Sequence, residues 1–348
     1  EIAKAVASES DIIIMDEPTA AISECEIKRL FKIVKGLKEK NVTVIYISHR
    51  LDEIFELGDY VTVMRDGKHI ETKAVSDVRD RTELIKLMIG KTVIESYTKK
   101  NQQSSETLLE ARGITNSKLK NISFHLKKGE IIGFYGLVGA GKTELARAII
   151  GADKYHGEII YKGRPLERSP DKTIRRGISL VPEERRSQGI FSILTIRSNI
   201  PVMNMKKISD GLFISRHKEI KAALEFIDKL DIATHSCEKE VSKLSGGNQQ
   251  KVVFAKCLFA KTDLLLLDEP TRGIDVGAKG EIYGIIRRLS EEGKSIIMFS
   301  SELPEIMNNC DRIFLLYDGN LKAEIENGSD IDSENIIHIV TGGEIACK

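Results

Sequence analysis

The chain has 348 residues, and its 53 lysines and arginines balance 52 aspartates and glutamates, which argues against a nucleic-acid partner. No apolar stretch approaches the roughly 20 residues that cross a bilayer, so we expect any membrane contact to go through a partner. The cysteines show no close pair, which argues against zinc or a disulfide framework: Cys25, Cys237, Cys257, Cys310 and Cys347.

Residues 1–90 alternate apolar strands with helices, the pattern of parallel strands that are covered on both faces. The predicted order is strand 11–15, helix 23–40, strand 42–47, helix 51–57 and strand 60–65, followed by a turn at Asp66-Gly67. We interpret this region as the C-terminal part of a domain. The polar residues 91–106 are predicted to form an interdomain linker.

Residues 107–348 are predicted to form a second, complete domain. A strand over residues 130–135 leads into a glycine-rich loop, and a helix over residues 144–150 leads out of it. Residues 186–240 are interpreted as a mainly helical insertion.

The glycine-rich loop has the sequence of a phosphate-binding loop, Gly136-Leu137-Val138-Gly139-Ala140-Gly141-Lys142-Thr143. Its glycines let backbone N–H groups close around phosphates, and Lys142 is expected to reach the β- and γ-phosphates. The Thr143 hydroxyl is expected to ligate Mg²⁺. The alternative, a glycine-rich turn with a surface lysine, is disfavoured by the strand before the loop and the helix after it. We therefore predict that all eight residues bind ATP or a close relative.

Two acidic residues follow an apolar strand predicted over Leu264–Leu267. Asp268 is expected to hold the hydration shell of Mg²⁺, and Glu269 to orient and deprotonate the attacking water. A carboxylate can do this beside a metal-bound triphosphate only when a partner surface excludes bulk water. The alternative is a helix-capping acidic pair, which the preceding phosphate loop disfavours.

A second glycine-containing motif lies at Leu244–Gln250. Ser245, Gly246 and Gly247 are expected to open a helix that continues through residues 250–259. The N–H groups at the start of that helix suit a γ-phosphate, and the glycines permit close approach. Gln249 is assigned to the same nucleotide-binding surface.

The chain contains an internal repeat in which residue numbers differ by 252. The matching blocks are Asp16–Thr19 with Asp268–Thr271, and Ser48–Ile54 with Ser300–Ile306. Glu1 then corresponds to Val253, just past the motif at Leu244–Gln250. We therefore expect the first copy to begin after its own phosphate loop, so that the chain is the C-terminal part of a tandem protein.

Together these motifs resemble the ATP-binding subunits of bacterial ABC importers, in the tandem-domain carbohydrate-uptake family that serves ribose, galactose, arabinose or xylose. The segments that carry the resemblance are Met15–Ala21, Tyr46–Ile54, Gly136–Leu145, Val181–Arg185, Leu244–Lys251 and Thr271–Gly277. The resemblance implies an α/β fold, a P-loop NTPase of ABC type, with one complete nucleotide-binding domain preceded by the C-terminal part of another. It also implies MgATP hydrolysis coupled to monosaccharide import.

The resemblance further implies partners and a location. Transmembrane permease subunits would hold the protein at the cytoplasmic face of the membrane, and a periplasmic or extracellular sugar-binding protein would act indirectly. A second nucleotide-binding domain is implied as well, because two such domains sandwich two nucleotides between them. In that arrangement Ser245–Gly247 meet the ATP held by the other domain.

The two copies differ at residues that the family uses in catalysis. His49, which in ABC proteins contacts the γ-phosphate, is matched by Ser301 in the second copy. Glu183 stands where many ABC domains carry a glutamine that senses Mg²⁺ and water. Glu17 and His49 are expected to act in a better-equipped site that is completed by the motif at Leu244–Gln250. We therefore expect unequal sites in the full-length parent.

Two other functions stay open at this point. A soluble tandem ABC protein acting on ribosomes or DNA is disfavoured by the balanced charge and the short linker at residues 91–106. The chain could also be a truncated nucleotide-binding fragment with little turnover.

Overall fold

The computed structural model describes residues 10–16, 18–19, 24–48, 51–65, 68–79, 83–84, 87, 105–137, 139–327, 336, 339–340 and 342. The chain divides into two compact units, the first with the residues before 95 and residues 275–280, the second with the remainder. The predicted linker, residues 91–106, lies outside the described residues except for Ser105 and Glu106.

The first unit consists of alternating strands and helices followed by a hairpin. Its described elements are β1 (Ile12–Asp16), α1 (Glu24–Glu39), β2 (Thr43–Ile47), α2 (Leu51–Leu57), β3 (Tyr60–Arg65) and β4 (Lys68–Ala74). The first two strands pair in parallel and the last two pair antiparallel. The predicted elements are confirmed to within one residue at each end. Strand β4 was not predicted, and the turn at Asp66-Gly67 lies outside the described residues.

The prediction that the β1–β2 pair is covered on both faces is wrong for the described residues. Helix α1 packs on one face, where Ile13 and Met15 are buried with Leu30 and Val34. The opposite face exposes between 48% and 66% of each of four isoleucines: Ile12, Ile14, Ile45 and Ile47. Successive side chains of a strand point to opposite faces, and an apolar run alone does not show which of them is covered.

From residue 95 onward the described chain is richer in elements. They are β5 (Thr107–Thr115), β6 (Ile122–Lys127), β7 (Ile131–Tyr135), α3 (Lys142–Ile150), β8 (His156–Tyr161), β9 (Arg164–Pro165), α4 (Pro170–Arg175), β10 (Ile178–Val181), α5 (Ile196–Asn199), β11 (Ser209–Asp210), β12 (Phe213–Ile214), α6 (Arg216–Lys229), α7 (Gly246–Phe259), β13 (Leu264–Asp268), α8 (Val276–Glu291), β14 (Ser295–Ser300), α9 (Leu303–Asn309), β15 (Arg312–Tyr317) and β16 (Asn320–Glu326). The predicted strands before the phosphate loop and before Asp268 are confirmed, as are the helices after the loop and after Ser245.

A six-stranded sheet in the order β10-β13-β14-β7-β15-β16 forms the centre of the second unit. Strand β16 is antiparallel to β15, and the other pairs are parallel. Because parallel strands end at the same edge, the loops that follow β7, β13 and β14 lie side by side. A separate antiparallel sheet has the order β6-β5-β8-β9.

Both faces of the central strands are buried in the second unit. Helix α3 packs on β13 and β14, and Phe134 stacks between Phe299 and Phe314 with ring centroids 5.2 and 5.0 Å apart. The residues 252 positions after the four exposed isoleucines are fully buried in this core: Leu264, Leu266, Ile297 and Phe299. Among the described residues, the same face of this strand pair is therefore buried in the second unit and exposed in the first.

The segment predicted as a mainly helical insertion, residues 186–240, is helical for about half its length. It begins with a π-helical segment at Arg185–Gly189, and contains a 3₁₀ segment at Ile200–Ile208 and helix α6. It also contains the short β11–β12 hairpin, which was not predicted. Two-residue strands are too short to show an alternating pattern in a sequence.

Candidate functional site

The phosphate-binding loop joins β7 to α3 and is shaped by its glycines. Gly139 and Gly141 have φ angles of 85° and 103°, a left-handed backbone that favours glycine. A Cβ on Gly136 would lie 2.6 Å from the carbonyl oxygen of Leu316, so no side chain fits there. Leu137 is partly exposed and Ala140 is buried, while Val138 lies outside the described residues.

Lys142, the first residue of α3, points back into this loop. Its Nζ donates to the carbonyl oxygen of Gly136 at 2.6 Å and to that of Leu137 at 3.1 Å. It also lies 3.5 Å from Oε1 of Glu269. Burial lowers the pKa of Lys142, and the neighbouring Glu269 opposes that effect. A buried ammonium therefore stands at the centre of the loop that the sequence predicts to hold phosphates.

Asp268 ends β13 beside this lysine. Burial raises the pKa of its carboxyl to about 6, although the hydrogen bond with the Thr143 side chain lowers it. The oxygen Oδ1 is buried without a hydrogen-bond partner. An orphaned carboxylate oxygen next to a threonine hydroxyl fits a hard cation with oxygen ligands.

Glu269 follows Asp268 in an unusual backbone conformation. Its φ angle of 45° is left-handed, which costs a non-glycine residue about 1–3 kcal/mol. Its N–H donates to the carbonyl oxygen of Phe299 at 2.9 Å. The side chain is 11% exposed and faces Lys142. The structure thus brings together Lys142, Thr143, Asp268 and Glu269, as the sequence predicts.

The motif at Leu244–Gln250 forms a second group of predicted site residues. Ser245 is the N-cap of α7, where its side chain accepts from the N–H of Asn248. Gly247 is buried in the first turn. The Gln249 side chain is buried as well, and its Nε2 donates to the carbonyl oxygens of Leu244 at 3.1 Å and Val241 at 3.3 Å. Within this chain, Gln249 therefore holds the segment that precedes the helix.

Arg185 connects this second group to the loop after Glu269, a role that sequence reasoning missed. Its Nη1 and Nη2 donate to the carbonyl oxygens of Arg272 at 2.7 Å and Gly273 at 2.8 Å. A Cβ on Gly246 would lie 2.9 Å from Nη2, so the guanidinium rests directly against the helix start. Glu183 forms an ion pair with Arg272. The sequence signals at this position were the resemblance segment Val181–Arg185 and the run of charges at residues 183–186.

Two predicted catalytic residues of the first copy, Glu17 and His49, lie outside the described residues. The structure therefore does not place them, and their roles remain predictions. Among the described helices, none combines the length and the apolar composition that crossing a membrane requires.

The phosphate loop, the Lys142–Glu269 pair and the Ser245-capped helix define a nucleotide-binding protein of the ABC type. A model of the ABC transporter family matches residues 119–272. A nucleotide-free ATP-binding cassette from an ABC transporter superposes with a TM-score of 0.59 at 19% identity, covering 68% of this chain and 100% of that one. A dimeric cassette bound to ADP and phosphate gives 0.55 at 22% identity, covering 64% and 100%. These two likenesses concern the fold.

Sequence relatives are closer and span almost the whole chain. The ribose import ATP-binding protein RbsA 1 of Rubrobacter xylanophilus is 42% identical over 99% of this chain and 70% of its own length. The galactose/methyl galactoside import ATP-binding protein MglA of Clostridium perfringens is 45% identical over 99% of this chain and 68% of its own length. The chain belongs to this family of ABC transporter ATP-binding proteins and binds ATP.

Proposed function

We propose that this chain is the ATP-hydrolysing, energy-coupling subunit of an ABC transporter that imports a monosaccharide. One observation carries the proposal: Lys142, Thr143, Asp268 and Glu269 meet in a chain that is 40–45% identical to ribose and galactose import ATP-binding proteins. The sugar class comes from the names of these relatives, because the roles proposed for the four residues concern the phosphates, Mg²⁺ and the attacking water.

ATP binding would change the partners of Lys142. The β- and γ-phosphates offer stronger acceptors than the carbonyl oxygens of Gly136 and Leu137, because charge-assisted hydrogen bonds exceed neutral ones. When the ammonium turns to the phosphates, Glu269 loses a neighbouring positive charge. Its carboxylate is then available to orient and deprotonate the water molecule that attacks the γ-phosphate in the proposed reaction.

Mg²⁺ would be held by the Thr143 hydroxyl and, through its hydration shell, by Asp268. The orphaned Oδ1 of Asp268 and the adjacent Thr143 side chain support this assignment. The ion would supply charge neutralisation on the β- and γ-phosphates. The protein's own part is to hold the Asp268 carboxylate ionised, against the cost of its burial.

The proposed partners are transmembrane permease subunits, a second nucleotide-binding domain and, indirectly, a sugar-binding protein outside the membrane. The proposed location is peripheral, at the cytoplasmic face. Residues 1–90 and 107–348 are proposed as parts of two nucleotide-binding domains with unequal sites. Glu17 and His49 would belong to the stronger site, and Ser301 and Glu183 to the weaker one.

The test is phosphate release from MgATP by the purified chain over a series of protein concentrations, with Lys142→Ala as the paired variant. A specific activity that rises with concentration and disappears in the variant supports a motor that pairs through Ser245–Gly247. Activity that persists in Lys142→Ala contradicts the proposed site. ATP binding without turnover contradicts the hydrolytic part of the proposal for this chain and leaves the nucleotide-binding part standing.

A further inference from the structure

A buried glutamate in the second unit accepts hydrogen bonds from hydroxyl groups that follow or end two neighbouring strands. Glu305, in α9, is 2% exposed. Its Oε1 accepts from the Thr271 hydroxyl at 2.9 Å, in the loop after β13, and its Oε2 accepts from the Ser300 hydroxyl at the end of β14. Ser300 Oγ in turn accepts from the N–H of Glu302 at 3.0 Å. One carboxylate thus joins the loop after Glu269 to the loop that carries Ser301.

The first unit contains the same arrangement 252 residues earlier. Glu53 is 1% exposed. Its Oε1 accepts from Thr19 at 2.6 Å, and its Oε2 accepts from Ser48 at 2.7 Å. In both units, therefore, the carboxylate accepts hydrogen bonds from the equivalent threonine and serine hydroxyls. A buried carboxylate is costly unless hydrogen bonds satisfy it, so the repetition argues for more than packing.

A tyrosine lies beside the carboxylate in both units, but it comes from different elements. In the first unit it is that of Tyr46 in β2, which donates to Glu53 Oε2 at 3.0 Å. The position equivalent to Tyr46 is Met298, and it cannot supply a hydroxyl. In the second unit the Tyr283 side chain of α8 lies beside Thr271 and Glu305, and burial raises the pKa of its phenol. The position equivalent to Tyr283 is Phe31. The tyrosine therefore stands at a different position in each unit, whereas the glutamate beside it stands at the equivalent position in both.

We propose that Glu305 is a positioning residue for ATP hydrolysis, and that Glu53 has the same role in the first unit. This inference rests on the proposed function. Glu305 holds Thr271, two residues after Glu269, and Ser300, one residue before Ser301. Because one carboxylate holds both hydroxyls, it fixes the distance between Glu269, the proposed general base, and Ser301, which stands where ABC proteins carry the histidine that contacts the γ-phosphate.

Amide hydrogen exchange of the whole chain tests the positioning directly, without any need for turnover. In Glu305→Gln and Thr271→Val we expect the amides of Arg272, Ile274 and Glu302 to exchange about tenfold faster. Local opening of these loops costs less free energy when the hydrogen bonds of Glu305 with Thr271 and Ser300 are weakened or absent. The matched control is Thr262→Val, which removes another buried hydroxyl, bonded to Cys257 O at 2.6 Å. Unchanged exchange at those amides, or equal acceleration in the control, overturns the proposal.

Steady-state kinetics supply the second readout. Thr271→Val should lower kcat about tenfold while KM for ATP stays within about twofold, and Thr271→Ser should restore kcat. Thr262→Val should leave kcat unchanged. An equal loss of kcat in Thr271→Val and Thr262→Val would show that Glu305 has only a structural role. If the unsubstituted chain shows no turnover, the hydrolytic part of the proposed function fails, and hydrogen exchange alone decides the role of Glu305.

In the first unit, moving the tyrosine hydroxyl from position 46 to position 31 tests whether a hydroxyl from either position can hold Glu53. Tyr46→Phe removes the phenol that donates to Glu53, and adding Phe31→Tyr offers one from the position that Tyr283 occupies in the second unit. We expect faster exchange across residues 43–57 in the single variant and recovery in the double variant. Tyr161→Phe is the control, because the Tyr161 hydroxyl is buried without a partner. No effect of Tyr46→Phe would overturn the role of the Tyr46 hydroxyl.

Discussion

The ammonium nitrogen of Lys142 lies 3.5 Å from Oε1 of Glu269, so the residue proposed to bind the phosphates neighbours the proposed general base. The same ammonium donates to two carbonyl oxygens of its own loop. If both proposed roles hold, the charge of Lys142 affects ATP binding as well as hydrolysis, and substitutions at Lys142 and at Glu269 should separate the two effects.

Lys142→Ala should weaken ATP binding by about 10- to 100-fold, because it removes charge-assisted bonds worth about 1.5–3 kcal/mol. Titration with a fluorescent ATP analogue measures the effect. Lys120→Ala is the control, since it removes an exposed lysine paired with Asp318. An affinity equal to that of the unsubstituted chain would show that the nucleotide binds elsewhere.

Glu269→Gln should lower phosphate release by about 10²- to 10⁴-fold, the usual contribution of a general base. Affinity for MgATP should stay within a few fold, because the amide keeps the size of the side chain. Single-turnover measurements with saturating ATP separate chemistry from binding. Glu292→Gln, at an exposed glutamate paired with Lys229, provides the comparison. Equal rates for the two variants would exclude Glu269 as the base.

Asp268→Asn should stabilise the folded chain without Mg²⁺ by about 1–3 kcal/mol at pH 7, since it removes a buried charge. The folded pKa of about 6 lies above the ordinary value of 3.8, so the folded state binds more protons between these values. Stability due to this group is then greatest below pH 4 and declines as the pH rises to 6. Urea unfolding at several pH values should show the gain of Asp268→Asn disappearing in acid.

The same substitution should abolish the dependence of ATP binding on Mg²⁺. In the unsubstituted chain this dependence should weaken as the pH falls below about 6, because the Asp268 carboxyl becomes protonated. Nucleotide titrations with Mg²⁺ and with EDTA measure both effects. A full Mg²⁺ dependence in Asp268→Asn would contradict the assignment of this residue.

Arg185→Ala should lower the rate of phosphate release about tenfold and the unfolding free energy by about 1–3 kcal/mol, because two bonds to backbone carbonyls are lost. Arg185→Lys should not restore the rate, since an ammonium does not reproduce the fork of the guanidinium. The neighbouring Arg186 is exposed, and Arg186→Ala is the matched control. Recovery in the lysine variant would show that charge alone suffices.

Much of the fold and of the central site could be predicted because buried apolar strands and the phosphate loop have strong sequence patterns. Strand Leu264–Asp268 and the group around Lys142 are examples. Arg185 could not be assigned, because its partners are backbone carbonyls 87 and 88 residues away and carbonyls have no sequence signature. The hydrogen bonds of Glu305 could not be predicted for a related reason. The repeat aligns Glu53 with Glu305, but an alignment does not show which hydroxyl groups donate to these carboxylates.

The exposed isoleucine face of β1–β2 has a practical consequence for the behaviour of the chain in solution. A contiguous apolar patch favours self-association, and this tendency does not depend on nucleotide. Light scattering should therefore show colloidal clustering even without ATP, and Ile14→Thr with Ile45→Thr should reduce it. Pairing through Ser245–Gly247 should instead require ATP and persist in that double variant. The two kinds of association can thus be told apart by whether they respond to nucleotide.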